Sequence, residues 1–240
     1  RGVAAAKAAM VVSGESSVAI EEIASASSAP LWAQVFATAP NAKDALARAA
    51  AAKCRAACVT VHAGASASAR SPVPSSAAIG WASLDELLRV STLPVVVKGI
   101  TRVEDAREAV ARGAKGVLVS AYRGGSDTTT ASPILSLRAI VEAVGERVPV
   151  LVDGSFRRGT DVIKALALGA RAVLVGRPVM WGLAAYGADG VQSVIEMLQT
   201  ELARYMCMCG KATPTELTPD VVRLHADRPV HAASRTAAHG

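Results

Sequence analysis

The stretch VPVLVDGSFRRGTDVIKALALGARAVLVGRPVMW, Val148 to Trp181, concentrates groups suited to holding an anion. A short β-branched run ends in Asp153-Gly154-Ser155, a basic turn with Arg157 follows, a helical pattern returns, and a second apolar run ends in Gly176-Arg177-Pro178. Glycine lets backbone N–H groups approach a ligand closely, and guanidinium groups neutralise it through a fixed fork of donors. Two consecutive strand ends of this composition predict one phosphate site, shared by the last two loops of a (β/α) barrel.

Barrel chemistry gathers at the C-terminal ends of strands. In chain order those ends read Ser13, Gln34 with Phe36, Thr60 with His62, Lys98, Ser120 with Tyr122, Asp153, and Arg177. Serine and threonine also cap helices, so one alone would carry no argument. Lys98 is more telling. It closes the apolar run Pro94–Val97, where an ammonium needs either a salt-bridge partner or an anionic or electron-rich ligand.

The elements that must position these residues alternate along the chain. Strand-like runs fall at Met10–Val12, Trp32–Phe36, Ala57–Val61, Val95–Val97, Val117–Val119, Val150–Val152 and Val173–Val175. Helical patterns fall at Ala19–Ser25, Ala42–Ala52, Leu84–Arg89, Val103–Arg112, Ile134–Val144, Thr160–Leu168 and Val191–Tyr205, with Gly113, Gly145 and Gly169 where C-caps are wanted. This alternation predicts an α/β fold with a parallel sheet wound in one sense, a (β/α)8 TIM barrel. A closed barrel needs eight strands. The chain opens in a helix-like segment, Val3–Ala9, so the first strand is expected to be missing from this chain or misread. The expected organisation is a barrel over 1–210, a long Ser/Ala/Pro-rich active-site loop at 63–80 and a proline-bearing tail over 211–240.

Composition narrows the classes. At 240 residues the chain can bury one full core. No apolar run approaches the ~20 residues that span a bilayer. The +6 charge is modest and dispersed, and aromatics make up only 3%, which argues against a nucleic-acid surface. The four cysteines, Cys54, Cys58, Cys207 and Cys209, lack the spacing of a zinc site, so no metal is expected and free thiols in a cytoplasmic setting are. Alanine- and arginine-rich usage fits a bacterium. The expected partner is a small-molecule substrate, with a homo-oligomer left open; neither nucleic acid nor membrane is expected.

Two stretches, LPVVVKGITRVEDAREAVARGAKGVLVS and DGSFRRGTDVIKALALGARAVLVGRPVMWGLAAYG, carry a resemblance to the FMN-dependent α-hydroxy-acid oxidases and dehydrogenases, the family of glycolate oxidase, lactate oxidase and mandelate dehydrogenase. The similarity runs from Ala4 to about Arg223 and is specific from Leu93 onward. The resemblance implies FMN as cofactor and an N-terminal segment with the first strand ahead of Arg1. It implies flavin-ring contacts for Ser13, Gln34 and Thr60, a ring or ribityl contact for Ser120, and a ribityl contact for Asp153. Lys98 matches the lysine beside flavin N1, and Gly154, Ser155, Arg157, Gly176 and Arg177 match the phosphate cradle. Ser155 stands where the family usually has glycine.

The substrate positions depart from the family. Its Ser-Asn-His-Gly-x-Arg signature reads Ser120-Ala121-Tyr122-Arg123-Gly124-Gly125 here, so Tyr122 replaces the catalytic base and Gly125 the carboxylate clamp. Its Thr-Val-Asp reads Thr60-Val61-His62, and a substrate-contacting tyrosine becomes Phe36. A neutral histidine is a general base near pH 7, so His62 with Tyr122 is the expected catalytic pair, and Arg123 the candidate replacement clamp. Three functions follow. The first is an FMN-dependent oxidoreductase with a non-standard substrate. The second is an FMN barrel with other chemistry or an inactive partner subunit. The third is a barrel that binds a phosphorylated ligand without flavin.

Overall fold

The computed structural model describes residues 1–61, 80–121 and 132–223. His62, Tyr122, Arg123, Gly124, Gly125 and all of the 63–80 loop except Gly80 lie outside them, as does the tail from 224.

Seven parallel strands pair in sequence order: β1 (Met10–Val12), β2 (Leu31–Phe36), β3 (Ala56–Thr60), β4 (Val95–Ile100), β5 (Gly116–Val119), β6 (Val150–Asp153) and β7 (Ala172–Leu174). All the expected strands are present, shifted at most by two or three residues. β1 and β7 are the two edges, each pairing one neighbour. Side chains of both edges nonetheless meet in a single cluster, with Val11 and Leu174 packed around Cys58, Val96, Leu118 and Leu151. That contact requires the sheet to curl.

The other face is covered by helices α2 (Ile20–Ser25), α3 (Ala42–Ala51), α4 (Trp81–Val90), α5 (Val103–Ala111), α6 (Pro133–Val144) and α7 (Gly159–Ala167), while α1 (Gly2–Ala5) packs on α8 (Arg177–Met208). Val59, Val97, Val117 and Val119 of the strands are fully buried against Leu84, Ala106, Ala109, Leu137 and Ile140 of the helices. Alanine at the helix contacts lets the backbones approach the β-branched sheet surface, and burial on both faces explains the near-continuous apolar strands.

Three expectations need correction. The opening helix is shorter than Val3–Ala9, because Lys7 takes a left-handed φ of 54°. Gly113 and Gly169 adopt positive φ at helix ends, whereas Gly145 caps α6 in an ordinary right-handed conformation (φ −63°) and is not a left-handed cap. The expected last helix, Val191–Tyr205, lies within the second part of α8, and a first part that begins at Arg177 was not expected. Pro178 is compatible with a first turn, and the chain breaks only at Tyr186 and Gly187. The two parts of α8 cross closely at Gly182 and Gly190, where a Cβ on Gly182 would stand 2.4 Å from the Gly190 carbonyl oxygen. Beyond α8, two 3-10 turns at Pro214–Glu216 and Pro219–Val221 bring Leu217 into a buried cluster with Ile163, Ala167 and Met206.

Candidate active site

Side chains alternate across a strand, so every second residue faces the interior of the curl. Along β2, β3, β4, β5 and β6 the interior row of Trp32, Cys58, Val96, Leu118 and Leu151 is apolar. Two residues further on the same face stand Gln34, Thr60, Lys98, Ser120 and Asp153. The pleat therefore sets a polar rim directly above an apolar floor.

This rim borders a cavity of about 1110 Å³. Ser13, Gln34, Phe36, Thr60, Lys98, Ser120, Asp153, Gly154, Ser155, Arg157, Gly176 and Arg177 all line it. Of the residues singled out from sequence, His62, Tyr122, Arg123 and Gly125 fall outside the described segments.

The rim is cross-linked. Gln34 accepts a hydrogen bond from the Gly14 N–H at 2.8 Å and donates through Nε2 to Thr60 Oγ1 at 3.0 Å. This ties the loop after β1 to the end of β3. Lys98 donates through Nζ to Ser120 Oγ at 2.8 Å and forms an ion pair with Asp153. An ammonium has three donors, so among the described residues one N–H of Lys98 has no partner and could serve a ligand. Beneath this pair lies Cys58, whose thiol is pushed up to about 12, first by burial; Lys98 opposes the rise and Asp153 adds to it.

At the other end two helix N-termini differ. That of α7 is met by carboxylates: Asp161 accepts from the N–H groups of Arg157 (2.9 Å) and Arg158 (3.0 Å), and Glu201 accepts from Gly159 N–H at 2.7 Å. The first turn of α8 has no side-chain cap and no acidic residue. Its free N–H groups and positive dipole end favour an anion. Arg157 and Arg177 border the same space, and neither is paired with a carboxylate among the described residues, unlike Arg158, which meets Glu201 at 2.9 Å. Gly154 (φ 105°) and Ser155 (φ 62°) form the turn between β6 and this region, so Ser155 occupies a conformation that favours glycine.

Some contributors were not singled out from sequence. Asp161 and Glu201 decide which helix end stays open, and Trp181 stacks under Arg157. The four-residue spacing from Arg177 to Trp181 was the available signal for the latter. The donor set fits a long ligand with a phosphate at one end and a polar-edged ring at the other. The volume is slightly above the usual ~300–1,000 Å³ for ligand pockets. Among the described residues no cluster could hold a metal ion and no helix is long and apolar enough to cross a membrane.

Comparison with known proteins gives a consistent picture. The sequence model of the FMN-dependent dehydrogenases matches residues 1–71 and 62–224. A peroxisomal (S)-2-hydroxy-acid oxidase of Oryza sativa subsp. japonica is 47% identical over 150 residues, 62% of this chain and 41% of that protein. An L-lactate oxidase of Roseobacter sp. (strain GAI101) is 49% identical over 139 residues, 58% of this chain and 38% of that one. The matched part thus spans about two fifths of these curated relatives. Among solved structures, a mandelate oxidase variant with a monooxide FMN adduct superposes with a TM-score of 0.79 at 40% identity, covering 89% of this chain and 70% of that one. A monotopic membrane protein, (S)-mandelate dehydrogenase, superposes at 0.82 with 28% identity, covering 93% and 74%.

Proposed function

The chain belongs to the FMN-dependent dehydrogenase family, and on that premise we propose that it holds FMN in the cavity at the strand ends and acts as an FMN-dependent oxidoreductase on a substrate other than a simple α-hydroxy acid. The observation that carries the reading is the two-ended cavity. Arg157 and Arg177, which meet no carboxylate among the described residues, stand at the uncapped N-terminus of α8, and the Gln34–Thr60 and Lys98–Asp153 rim borders the same space. The reading brings with it a (β/α)8 barrel in which a further strand fills the gap between the edges β1 and β7.

FMN, when bound, supplies the hydride acceptor. The protein's part is binding, orientation and proton handling. Arg157, Arg177, Gly176 and the Gly154-Ser155 turn would hold the phosphate, Asp153 would take a ribityl hydroxyl, and Ser13, Gln34, Thr60 and Ser120 would meet the polar edge of the ring. Lys98 would supply positive charge to favour the reduced, anionic form.

His62 follows Thr60 by two positions, and Tyr122 follows Ser120 by two. In this reading a ring nitrogen of neutral His62 accepts the substrate hydroxyl proton, with Tyr122 as its hydrogen-bonding partner or the proton donor. Gly125 offers no bidentate clamp to a carboxylate and Phe36 offers no hydroxyl, so the substrate class has moved; Arg123 is the remaining cation near the signature.

The test is the visible spectrum of the purified protein after titration with FMN, followed by anaerobic mixing with lactate, glycolate and mandelate. Bound flavin that stays oxidised with all three is expected. Rapid bleaching by any of them overturns the altered substrate class. Phosphate binding without a flavin spectrum replaces the reading with that of a flavin-free barrel. Flavin that no alcohol or hydroxy acid reduces, with His62→Ala indistinguishable from wild type, leaves a cofactor-binding partner subunit.

A further inference from the structure

This inference rests on the phosphate reading of the cavity. The guanidinium of Arg157 lies over the indole of Trp181, 5.0 Å from the ring centroid, and its Nη1 donates to the Phe156 carbonyl at 2.8 Å. Trp181 is 59% exposed, so the ring is not a core element. Its face is nonetheless the counterpart of a guanidinium to which no described carboxylate is paired.

The molecule contains an internal contrast. Arg112 lies over Trp81 at a similar 5.2 Å, but its donors are taken by Asp85 and Glu108. That stack is a brace between α4 and α5, with its charge already answered. The Arg157–Trp181 stack has a similar spacing, no carboxylate meets its guanidinium among the described residues, and Arg157 itself lines the cavity while Trp181 supports it from outside the lining. Trp181 sits four residues after Arg177, on the same side of the first part of α8.

We infer that Trp181 is a positioning residue for phosphate. Stacking uses the face of the guanidinium and the Phe156 carbonyl uses one donor, so the remaining N–H groups stay in plane and directed toward the anion beside Arg177. An unsupported arginine would have to lose its rotamer freedom on binding, which weakens the contact. The indole also couples the β6–α7 loop to α8, so that two strand ends act on one phosphate.

The test is a double-mutant cycle read by fluorescence titration with FMN and with riboflavin, which has the same ring and ribityl chain without the phosphate. Trp181→Ala is expected to weaken FMN binding roughly three- to fivefold, the scale of an exposed cation–π contact, and to leave riboflavin unchanged. Trp181→Phe is expected to retain most of the affinity, and Trp181→Ala in an Arg157→Ala background to add nothing. If Trp181→Ala fails to fold, Trp181→Leu, which keeps apolar bulk without a π face, carries the same expectation. Equal losses for FMN and riboflavin, additive losses in the double variant, or an FMN preference that survives intact in Trp181→Ala overturn the inference alone. A wild-type protein with no preference for FMN over riboflavin overturns the phosphate reading, and the role of Trp181 with it.

Discussion

The ammonium of Lys98 lies against the carboxylate of Asp153, two strands away in the sheet and 55 residues later in the chain. Both side chains are about four-fifths buried, at 19% and 22% exposed. The sequence left open whether this lysine meets a salt-bridge partner or a ligand. The fold gives it a structural partner.

Lys98→Met is therefore expected to destabilise the protein by about 1–3 kcal/mol, because Asp153 is left half-shielded without a counter-ion. The double variant Lys98→Met/Asp153→Asn should recover much of the loss. Chemical denaturation of the three proteins checks this, and a single variant as stable as wild type would show the pair to be dispensable. In the FMN-loaded protein, Lys98→Met should also lower the flavin reduction potential, since a positive charge near the reduced ring is gone.

Arg177→Ala should weaken FMN binding by about tenfold or more, each charge-assisted contact to phosphate being worth roughly 1.5–3 kcal/mol. Riboflavin affinity should not change. Parallel losses for both ligands would place the phosphate elsewhere.

Ser155 holds a φ of 62°, where a Cβ is crowded and glycine is not. Ser155→Gly should stabilise the protein by up to about 1 kcal/mol, a rise of roughly 2–4 °C in Tm for a chain of this size. Ser155→Val should do the reverse. A thermal melt that orders the three otherwise would show the turn to be unstrained.

Cys58 and Cys54 are buried, and Cys207 and Cys209 are exposed. A thiol reagent should titrate two thiols in the native protein and all four after denaturation. The thiol of Cys58 is pushed up from 9.0 to about 12 by burial. Its raised folded-state value means that its contribution is complete below about pH 9 and declines as pH rises toward 12. Stability measured between these limits should fall less steeply for Cys58→Ala than for wild type. Equal slopes would show that burial does not protect this thiol.

Much of this site was legible in the sequence because two periodicities carried it. Runs such as Val95–Val97 announce buried parallel strands, and the residue that ends each run falls at the open end of the curl. That is why Gln34, Thr60, Lys98 and Asp153 could be named before any coordinates. What could not be read were relations between distant segments. The capping of α7 by Glu201 joins positions 42 residues apart, and the Lys98–Asp153 pair joins positions 55 apart. The first part of α8, ahead of the break at Tyr186 and Gly187, was missed for the same reason, since Gly182 and Gly190 seat its two parts together only in the folded chain. The described residues also stop short of His62 and Tyr122, where the sequence departs most from the family.

The alternation of apolar floor and polar rim leaves no intermediate settings. Removing one residue from β4 between Val95 and Lys98 would turn Lys98 toward the helices and bring an aliphatic side chain into the cavity, because the pleat has a period of two. Strand length is thus inherited as a parity. Substitutions can tune this chemistry by degrees, whereas a change of length must be absorbed in the loops or in an irregularity such as the register shift that follows Lys98 at Gly99.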